Sequence, residues 1–194
     1  LRKLHRNTLI NYYRNTHHTD FWLIMGGNPI ASNGSLMTVP DVANRLKAIQ
    51  QRGGKVVVID PRFTETAAKA DEHHFIRPAT DVFLLLAMLH VVFTEGLDKV
   101  PDYVTGLEVL KETVAEFSPE KVENPTGMKA DTIRQIVHDF TKAKSAVAYG
   151  RIGLSTQAFG GACQWLLNAF NVVTGNMDRV GGAMFTQPAM DILL

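Results

Sequence analysis

Three groups of glycine, polar and charged residues each follow a short apolar segment, and their chemistry suits a nucleoside diphosphate. The groups are Gly26, Gly27, Asn28 and Pro29; Asp60, Pro61, Arg62 and Thr64; and Pro78, Ala79, Thr80 and Asp81. Glycine lets the backbone approach a phosphate closely, an asparagine amide can bond a ribose or phosphate oxygen, and an arginine can neutralise a diphosphate. If the three groups meet in the fold, they could form a nucleotide site.

The two aspartates, Asp60 and Asp81, could choose between purine bases. A carboxylate can accept two N–H bonds from guanine, whose N1–H and amino group form a paired donor that adenine lacks. Each residue also has a simpler explanation, because Asp60 could only end a strand and Asp81 could only cap a helix. A Gly-Gly-Asn-Pro stretch is by itself more often only a turn. The sequence has no G-x-G-x-x-G, which disfavours an ordinary NAD-binding Rossmann site.

A strand–helix–strand pattern precedes the second group. The runs "FWLI" and "KVVVIDPR" are continuously apolar, which is typical of strands covered on both faces. Between them Val42, Leu46 and Ile49 form one helical face. Pro40 suits the first helical turn, Asp41 favours the positive end of the helix, and Gly53 and Gly54 predict a left-handed stop. Crossovers of this kind join parallel strands.

The remaining elements continue the α/β rhythm. We predict a third strand in "HHFIRP" and a buried helix from Thr80 or Asp81 to near Gly96. Short helices near 107–115 and 119–123 and an apolar helical stripe over 130–140 follow, and "SAVAYG" is predicted to be a strand. The last helix has a buried side that carries Phe159, Cys163, Leu166, Leu167 and Phe170. The predicted fold is α/β: a three-layer Rossmann-like domain with a mostly parallel sheet and helices on both faces. It would occupy residues 20–194 as a single domain with a helical insertion near 97–128, after an N-terminal arm or short helix at 1–19.

Composition excludes several classes of function. Twenty basic and nineteen acidic side chains leave a net charge of +1, so we predict no nucleic-acid partner. The longest apolar run, 82–93, is too short to span a bilayer, which needs about 20 residues. The single cysteine excludes an internal disulfide and a multi-cysteine metal or iron–sulfur site, and Cys163 is expected to be a buried thiol. We predict no catalytic residue and no metal ligand in this chain.

The ends of the sequence indicate a piece of a longer protein. The chain opens on Leu1 rather than methionine, and no signal-peptide pattern precedes the first strand. We expect a soluble protein without direct membrane insertion. Its compartment, cytoplasm or periplasm, stays open, because an export signal would lie upstream.

Together these strings resemble one family. "GGNP", "VVVIDPRFTETAAKADEH", "IRPATDVFLLLAMLHVVFTEGL" and "NVVTGNMDRVGG" are similar, in order and spacing, to the molybdopterin-dinucleotide oxidoreductases of the dimethyl sulfoxide reductase family. The likeness covers residues 20–186, and its middle two strings are quite specific when they occur together. It implies an internal fragment of the large catalytic subunit, namely the α/β domain that holds the guanosine end of one half of a bis(molybdopterin guanine dinucleotide) cofactor.

The resemblance also implies which residues touch that cofactor. They are Gly27, Asn28, Pro29, Asp60, Pro61, Arg62, Thr64, Thr80 and Asp81. The sequence departs from the family at Ala79, where glycine is usual. Because alanine has less backbone freedom than glycine, this loop is expected to approach a ligand less closely.

The family's metal ligand and its N-terminal iron–sulfur cysteines match nothing in this chain. The resemblance therefore implies that the chain binds part of the cofactor and performs no redox turnover alone, while the parent protein transfers electrons or an oxygen atom at molybdenum or tungsten. Its partners would be the remaining domains of the large subunit and, where the family has one, an iron–sulfur electron-transfer subunit; any iron–sulfur cluster would lie outside this chain. Two alternatives stay open. One is a non-catalytic domain related to the large iron–sulfur subunit of complex I, and the other is the central nucleotide domain of thiamine-diphosphate enzymes, which "DPRFTETA" fits poorly.

Overall fold

The centre of the protein is a four-stranded parallel sheet. The computed structural model describes residues 16–35 and 39–184. The strands are β1 Phe21–Met25, β2 Lys55–Ile59, β3 Glu72–His74 and β4 Ala146–Gly150. They lie in the order β3-β2-β1-β4, and every neighbouring pair is parallel. The predicted α/β class with a parallel sheet is confirmed.

Both faces of the sheet are buried, which explains the continuously apolar strand sequences. Leu23 and Val57 belong to the core on one face, whereas Ile24 and Val58 belong to the core on the other. All four side chains are fully buried. A strand with one solvent-facing side would alternate apolar and polar residues, and β1 and β2 do not.

Helices cover the two faces. Helix α1, Val42–Gln51, covers one face through Val42, Leu46 and Ile49, as its periodicity predicts. The helices in the core on the other face are α2 Asp81–Thr94, α3 Leu107–Val114, α4 Pro119–Thr126, α5 Ala130–Lys142, the short α6 Ile152–Ser155 and α7 Gly160–Val173. Helices α3 and α4 pack against α2 in the region of the predicted insertion. Among the described residues, no helix has both the length and the apolar character needed to cross a membrane.

Two predicted details of helix α1 are wrong, the placement of Pro40 and the left-handed conformation of Gly54, whereas Asp41 lies at the positive end of the helix as predicted. Helix α1 begins at Val42, and Asp41 precedes it in a left-handed conformation, φ 57°, with its carboxylate accepting hydrogen bonds from the Asn44 amide. Pro40 therefore lies outside the helix. At the other end Gly53 is left-handed, φ 81°, whereas Gly54 does not share that conformation.

The third strand is shorter than "HHFIRP" predicts, and it starts earlier. It ends at His74, because its partner β2 ends at Ile59, which pairs with His74. Phe75 is consequently 61% exposed. Phe159 is also misplaced by the prediction: it precedes α7, so the helical period does not apply to it, and it is 56% exposed, whereas Cys163 and Phe170 are fully buried.

The domain boundaries remain predictions. The proposed arm at 1–19 lies outside the described residues except for 16–19, and the described part of the chain ends at residue 184. Within that part, the sheet and its helices share two hydrophobic cores, one on each face.

Candidate functional site

The strand order creates a crevice at one edge of the sheet. All four strands end at the same edge, here called the carboxyl edge, because they are parallel. From β1 the chain proceeds through β2 to β3 on one side, and β4 then pairs with β1 on its other side. Ligands of open parallel sheets bind where the connections diverge in this way. The loops after β1 and β4 flank that point.

Gly26 joins these two loops. Its N–H donates to the carbonyl of Ile59 (3.1 Å), and its carbonyl accepts from the N–H of Gly153 (3.0 Å). It is left-handed, φ 54°, and a Cβ here would lie 2.6 Å from the backbone nitrogen of Leu154. Only glycine fits, because both the conformation and the close backbone approach exclude a side chain.

Asn28 joins the loop after β1 to the loop after β2. Its Oδ1 accepts hydrogen bonds from the hydroxyl (2.7 Å) and the N–H (3.2 Å) of Thr66, and its Nδ2 donates to Glu65 (2.6 Å). The bond from Asn28 is the main cause that lowers the pKa of Glu65. Thr66 is fully buried and also accepts from the N–H of Ile30. The amide of Asn28 thus holds two loops together, and its buried neighbour Pro29 continues the turn.

The polar residues after β2 shape their own loop. Asp60 Oδ1 accepts from the N–H of Arg62 (2.9 Å), and Thr64 Oγ1 accepts from the N–H of Ala67 (3.1 Å). Pro61 is exposed. The Arg62 side chain is 70% exposed, with one contact at 3.9 Å to the carboxylate of Glu65. Asp60 and Thr64 therefore stabilise the turn, while the guanidinium of Arg62 extends into solvent.

Helix α2 begins at the third group. Ala79 is left-handed, φ 65°, so the loop keeps a glycine-like conformation although the residue is alanine. The hydroxyl of Thr80 donates to the carbonyl of Arg77 (2.7 Å) and does not cap the helix. Asp81 is the first residue of α2 and only 6% exposed.

The carboxyl of Asp81 is the buried acid of the crevice. Burial raises its pKa, a hydrogen bond from Gln157 Nε2 (2.9 Å) lowers it, and the charge of Asp60 raises it further; the net shift is upward. The other atom of the same amide, Gln157 Oε1, is buried without a hydrogen-bond partner. A buried carbonyl oxygen is destabilising unless it accepts a hydrogen bond, so Gln157 Oε1 could accept one from a bound ligand.

Hydrogen bonds link four segments at the carboxyl edge, whereas the like charges of Asp60 and Asp81 repel each other and raise the pKa of Asp81. Asn28 connects the loops after β1 and β2, while Gly153 and Gln157 connect Gly26 and α2, respectively, to the segment after β4. Sequence reasoning missed the last of these segments, with Arg151, Gly153 and Gln157, and it missed Thr66. The available signal was "SAVAYG", a strand whose end belongs to the same edge as the other strand ends.

The only cysteine is unsuited to metal binding or nucleophilic attack. Cys163 lies fully buried in α7, and burial, assisted by the charge of Asp81, raises the pKa of its thiol to about 11. Metals and electrophiles react with the thiolate, which is scarce at neutral pH when the pKa is that high. In residues 16–35 and 39–184, no three His, Cys, Asp or Glu side chains are grouped so that they could hold a metal ion.

The parallel sheet, with its linked loops at the carboxyl edge, places this protein in the open-sheet α/β class. It belongs to the molybdopterin oxidoreductase family, whose model matches residues 5–188. This confirms the resemblance that the loop sequences indicate.

Individual relatives agree with the family. Formate dehydrogenase H of Escherichia coli (strain K12) is 34% identical over 165 residues, which cover 84% of this chain and 22% of that protein. Thiosulfate reductase molybdopterin-containing subunit PhsA of Salmonella typhimurium is 33% identical over 145 residues, covering 72% of this chain and 19% of that protein. The structure of acetylene hydratase from Pelobacter acetylenicus matches 92% of this chain and 26% of its own, with a TM-score of 0.73 and 26% identity. The chain thus spans 19% to 26% of these three proteins.

Proposed function

We propose that this chain binds the guanosine diphosphate end of a molybdopterin guanine dinucleotide, within a longer molybdenum- or tungsten-dependent oxidoreductase. The observation that carries this proposal is Asp81, a carboxyl buried where the linked loops of the carboxyl edge meet. The family match supports a molybdopterin cofactor, and the loops supply the nucleotide-binding chemistry.

Asp81 has the properties of a base-reading group. An ionised carboxylate accepts the N1–H and one amino N–H of guanine together, whereas adenine presents an acceptor at N1 and would leave the carboxylate facing a lone pair. A mismatch of this kind at a buried polar group is strongly disfavoured, because the group cannot return to water. The bond from Gln157 fixes the orientation of the carboxyl before a ligand arrives.

The residues of this chain suit the binding of a nucleotide, whereas the metal ligand would come from other parts of the protein. Gly27 and the remaining amide N–H of Asn28 are suited to phosphate and ribose, and the carboxyl of Asp81 is suited to the base. When bound, the cofactor would supply electron or oxygen-atom transfer at its metal. We therefore propose that the metal ligand comes from other domains of the parent subunit, that an iron–sulfur subunit is a further partner, and that this chain alone turns over no substrate.

A buried acid also argues against a purely structural domain. A non-catalytic relative of the complex I subunit would need Asp81 only for the start of α2, and a carboxyl at 6% exposure is a costly choice for that purpose because burial disfavours its charged form. The match to the molybdopterin oxidoreductase family gives the thiamine-diphosphate alternative no support.

Calorimetric titration of the cofactor-free, full-length protein with GDP and ADP tests the proposal. We expect GDP to bind at least about tenfold more tightly than ADP, and Asp81→Asn to abolish that preference, because one or more hydrogen bonds to a charged acceptor are lost. Asp98→Ala is the matched control: Asp98 is exposed and follows the far end of α2, so the preference should persist. Equal affinities for GDP and ADP in the folded wild-type protein would refute the proposal.

A further inference from the structure

The side chain of Arg151 lies across the point where β1 and β4 diverge. Arg151 follows β4 directly, and its N–H donates to the carbonyl of Met25 at the end of β1 (3.2 Å). A Cβ added to Gly27 would lie 3.1 Å from both Cβ and Cγ of Arg151. The methylene groups of Arg151 therefore cover the glycine, and Gly27 is buried beneath them.

The guanidinium of Arg151 has unused hydrogen-bonding capacity. Its Nη1 donates to the hydroxyl of Tyr149 (3.1 Å), and the group forms no ion pair with any carboxylate of the described residues. Arg134, by contrast, pairs with both Glu95 and Glu120. A guanidinium carries five N–H donors and a permanent charge, so Arg151 keeps most of its donors and its whole charge for another anion.

Backbone donors lie beside it. Neither the N–H of Gly27 nor that of Asn28 donates a hydrogen bond to another residue in the parts of the chain that the structure describes. Consecutive free N–H groups at the end of a strand are suited to an anion. The uncompensated cation and these two donors thus occur at one place, the divergence of β1 and β4.

We propose that Arg151, with the backbone N–H groups of Gly27 and Asn28, binds the diphosphate of the nucleotide. This inference rests on the proposed function and assigns the phosphate contact to the segment after β4. The same segment carries Gln157, which orients the base-reading Asp81. Base and diphosphate would then be bound from one segment of chain, with the diphosphate over the divergence point.

The arginine that sequence reasoning selected, Arg62, is less suited to this contact. It follows β2, its side chain is 70% exposed, and its nearest carboxylate, Glu65, is 3.9 Å away. An exposed guanidinium loses more conformational entropy on binding than one already packed against the backbone. The methylene groups of Arg151 pack over Gly27 and its guanidinium donates to Tyr149, so the side chain is already oriented before a ligand binds.

The test compares GDP with guanosine, which lacks the phosphates, in the cofactor-free full-length protein. Arg151→Met keeps the methylene stem over Gly27 and removes the charge. We expect its Kd for GDP to rise about ten- to a hundredfold, as for other charge-assisted hydrogen bonds, while its Kd for guanosine is unchanged. Lys47→Met, which removes an exposed charge on α1, is the matched control, and its Kd for GDP should change less than about threefold. Arg62→Met tests the other candidate arginine, and we expect a smaller rise in its Kd for GDP than in that of Arg151→Met.

Several results would overturn the assignment. A Kd for GDP that Arg151→Met leaves unchanged would do so, as would an equal weakening of GDP and guanosine, which indicates a structural role. An equal loss in Arg62→Met would show that the phosphate contact is not particular to Arg151. The proposed function is judged separately, by comparing GDP with ADP in the wild-type protein. If that protein prefers GDP but Arg151→Met binds GDP as tightly as wild type, only the assignment of the diphosphate to Arg151 is refuted.

Discussion

The side-chain amide of Gln157 donates a 2.9 Å hydrogen bond to the carboxyl of Asp81, although the two residues are 76 positions apart. This bond is the largest influence that opposes burial at Asp81 and lowers its pKa, while the charge of Asp60 acts in the same direction as burial. The pairing explains how an acid can stay buried at the start of α2 in a site that is expected to use its ionised form.

Gln157→Met should raise the pKa of Asp81 further. The substitution keeps the shape of the side chain, removes the donor to the carboxylate and also removes the unpaired Oε1. The direction follows from the lost stabilisation of the charged form. The carboxyl carbon of Asp81, followed by 13C NMR during a pH titration and assigned with Asp81→Asn, measures the change. An unchanged or lower pKa would contradict the role given to Gln157.

The raised pKa of Asp81 also predicts how stability depends on pH. A carboxyl whose pKa is higher in the folded state binds its proton more tightly there, so protonation favours folding. This contribution is complete below the usual pKa of 3.8 and is lost as the pH rises through the raised value. Asp81→Asn, which cannot ionise, should lack this dependence in urea unfolding curves.

Gly26→Ala should cost more stability than Gly53→Ala. Both glycines are left-handed, with φ of 54° and 81°, so alanine is strained at either position. At Gly53 an added Cβ meets nothing within 4 Å, whereas at Gly26 it meets the backbone of Leu154 at 2.6 Å. We expect Gly53→Ala to lower the free energy of unfolding by about 1 kcal/mol and Gly26→Ala by about 1–3 kcal/mol more. Urea denaturation of the two variants separates the close contact from the backbone strain, and equal losses would refute the contact.

Ala79→Gly should stabilise the protein. Ala79 is exposed and left-handed, φ 65°, which an L side chain disfavours. Relief of that strain exceeds the added entropy of glycine in the unfolded chain, so we expect a gain of about 0.5–1 kcal/mol. Ala68→Gly is the control with the opposite sign: Ala68 is also exposed but lies in the helical turn Ala67–Lys69, where glycine should destabilise by a similar amount. Thermal unfolding of both variants measures the difference, and a loss of stability in Ala79→Gly would contradict the prediction.

Lys55 joins three elements far from the carboxyl edge. Its ammonium lies 2.6 Å from Glu72 of β3 and 2.7 Å from Asp139 of α5. Burial alone would lower the pKa of Lys55 and raise that of Glu72, but their hydrogen bonds outweigh burial, so the lysine pKa is raised and the glutamate pKa lowered. This is a stabilising ion-pair network at neutral pH.

Lys55→Met should lower the free energy of unfolding by about 1 kcal/mol, since the network is only partly buried. The lowered pKa of Glu72 contributes stability above its usual value of 4.5, and the raised pKa of Lys55 contributes below its usual value of 10.5. The difference from wild type should therefore be largest between those two pH values and shrink outside them. Lys47→Met, at an exposed position of α1, should show no such profile in urea unfolding measured across pH.

Local sequence patterns were sufficient for most elements. The spacing of Val42, Leu46 and Ile49 predicts the buried face of α1, and the β-branched run of β2 predicts a strand covered on both sides. These patterns failed where the end of a strand or helix depends on residues elsewhere in the fold. Strand β3 ends where β2 ends, and Asp41 is left-handed while its carboxylate accepts from Asn44, so neither outcome follows from the period of apolar residues.

The sequence by itself determined the α/β class, the family and the types of residue available to a nucleotide, because apolar periodicity and contiguous motifs are local properties. The tertiary structure decided which of those residues act together. Asn28 meets Thr66 across 38 positions and Asp81 meets Gln157 across 76. Arg151 reaches Gly27 only because β4 pairs with β1 on the side away from β2. Strand order brings distant loops to one edge, and no short stretch of sequence encodes that order.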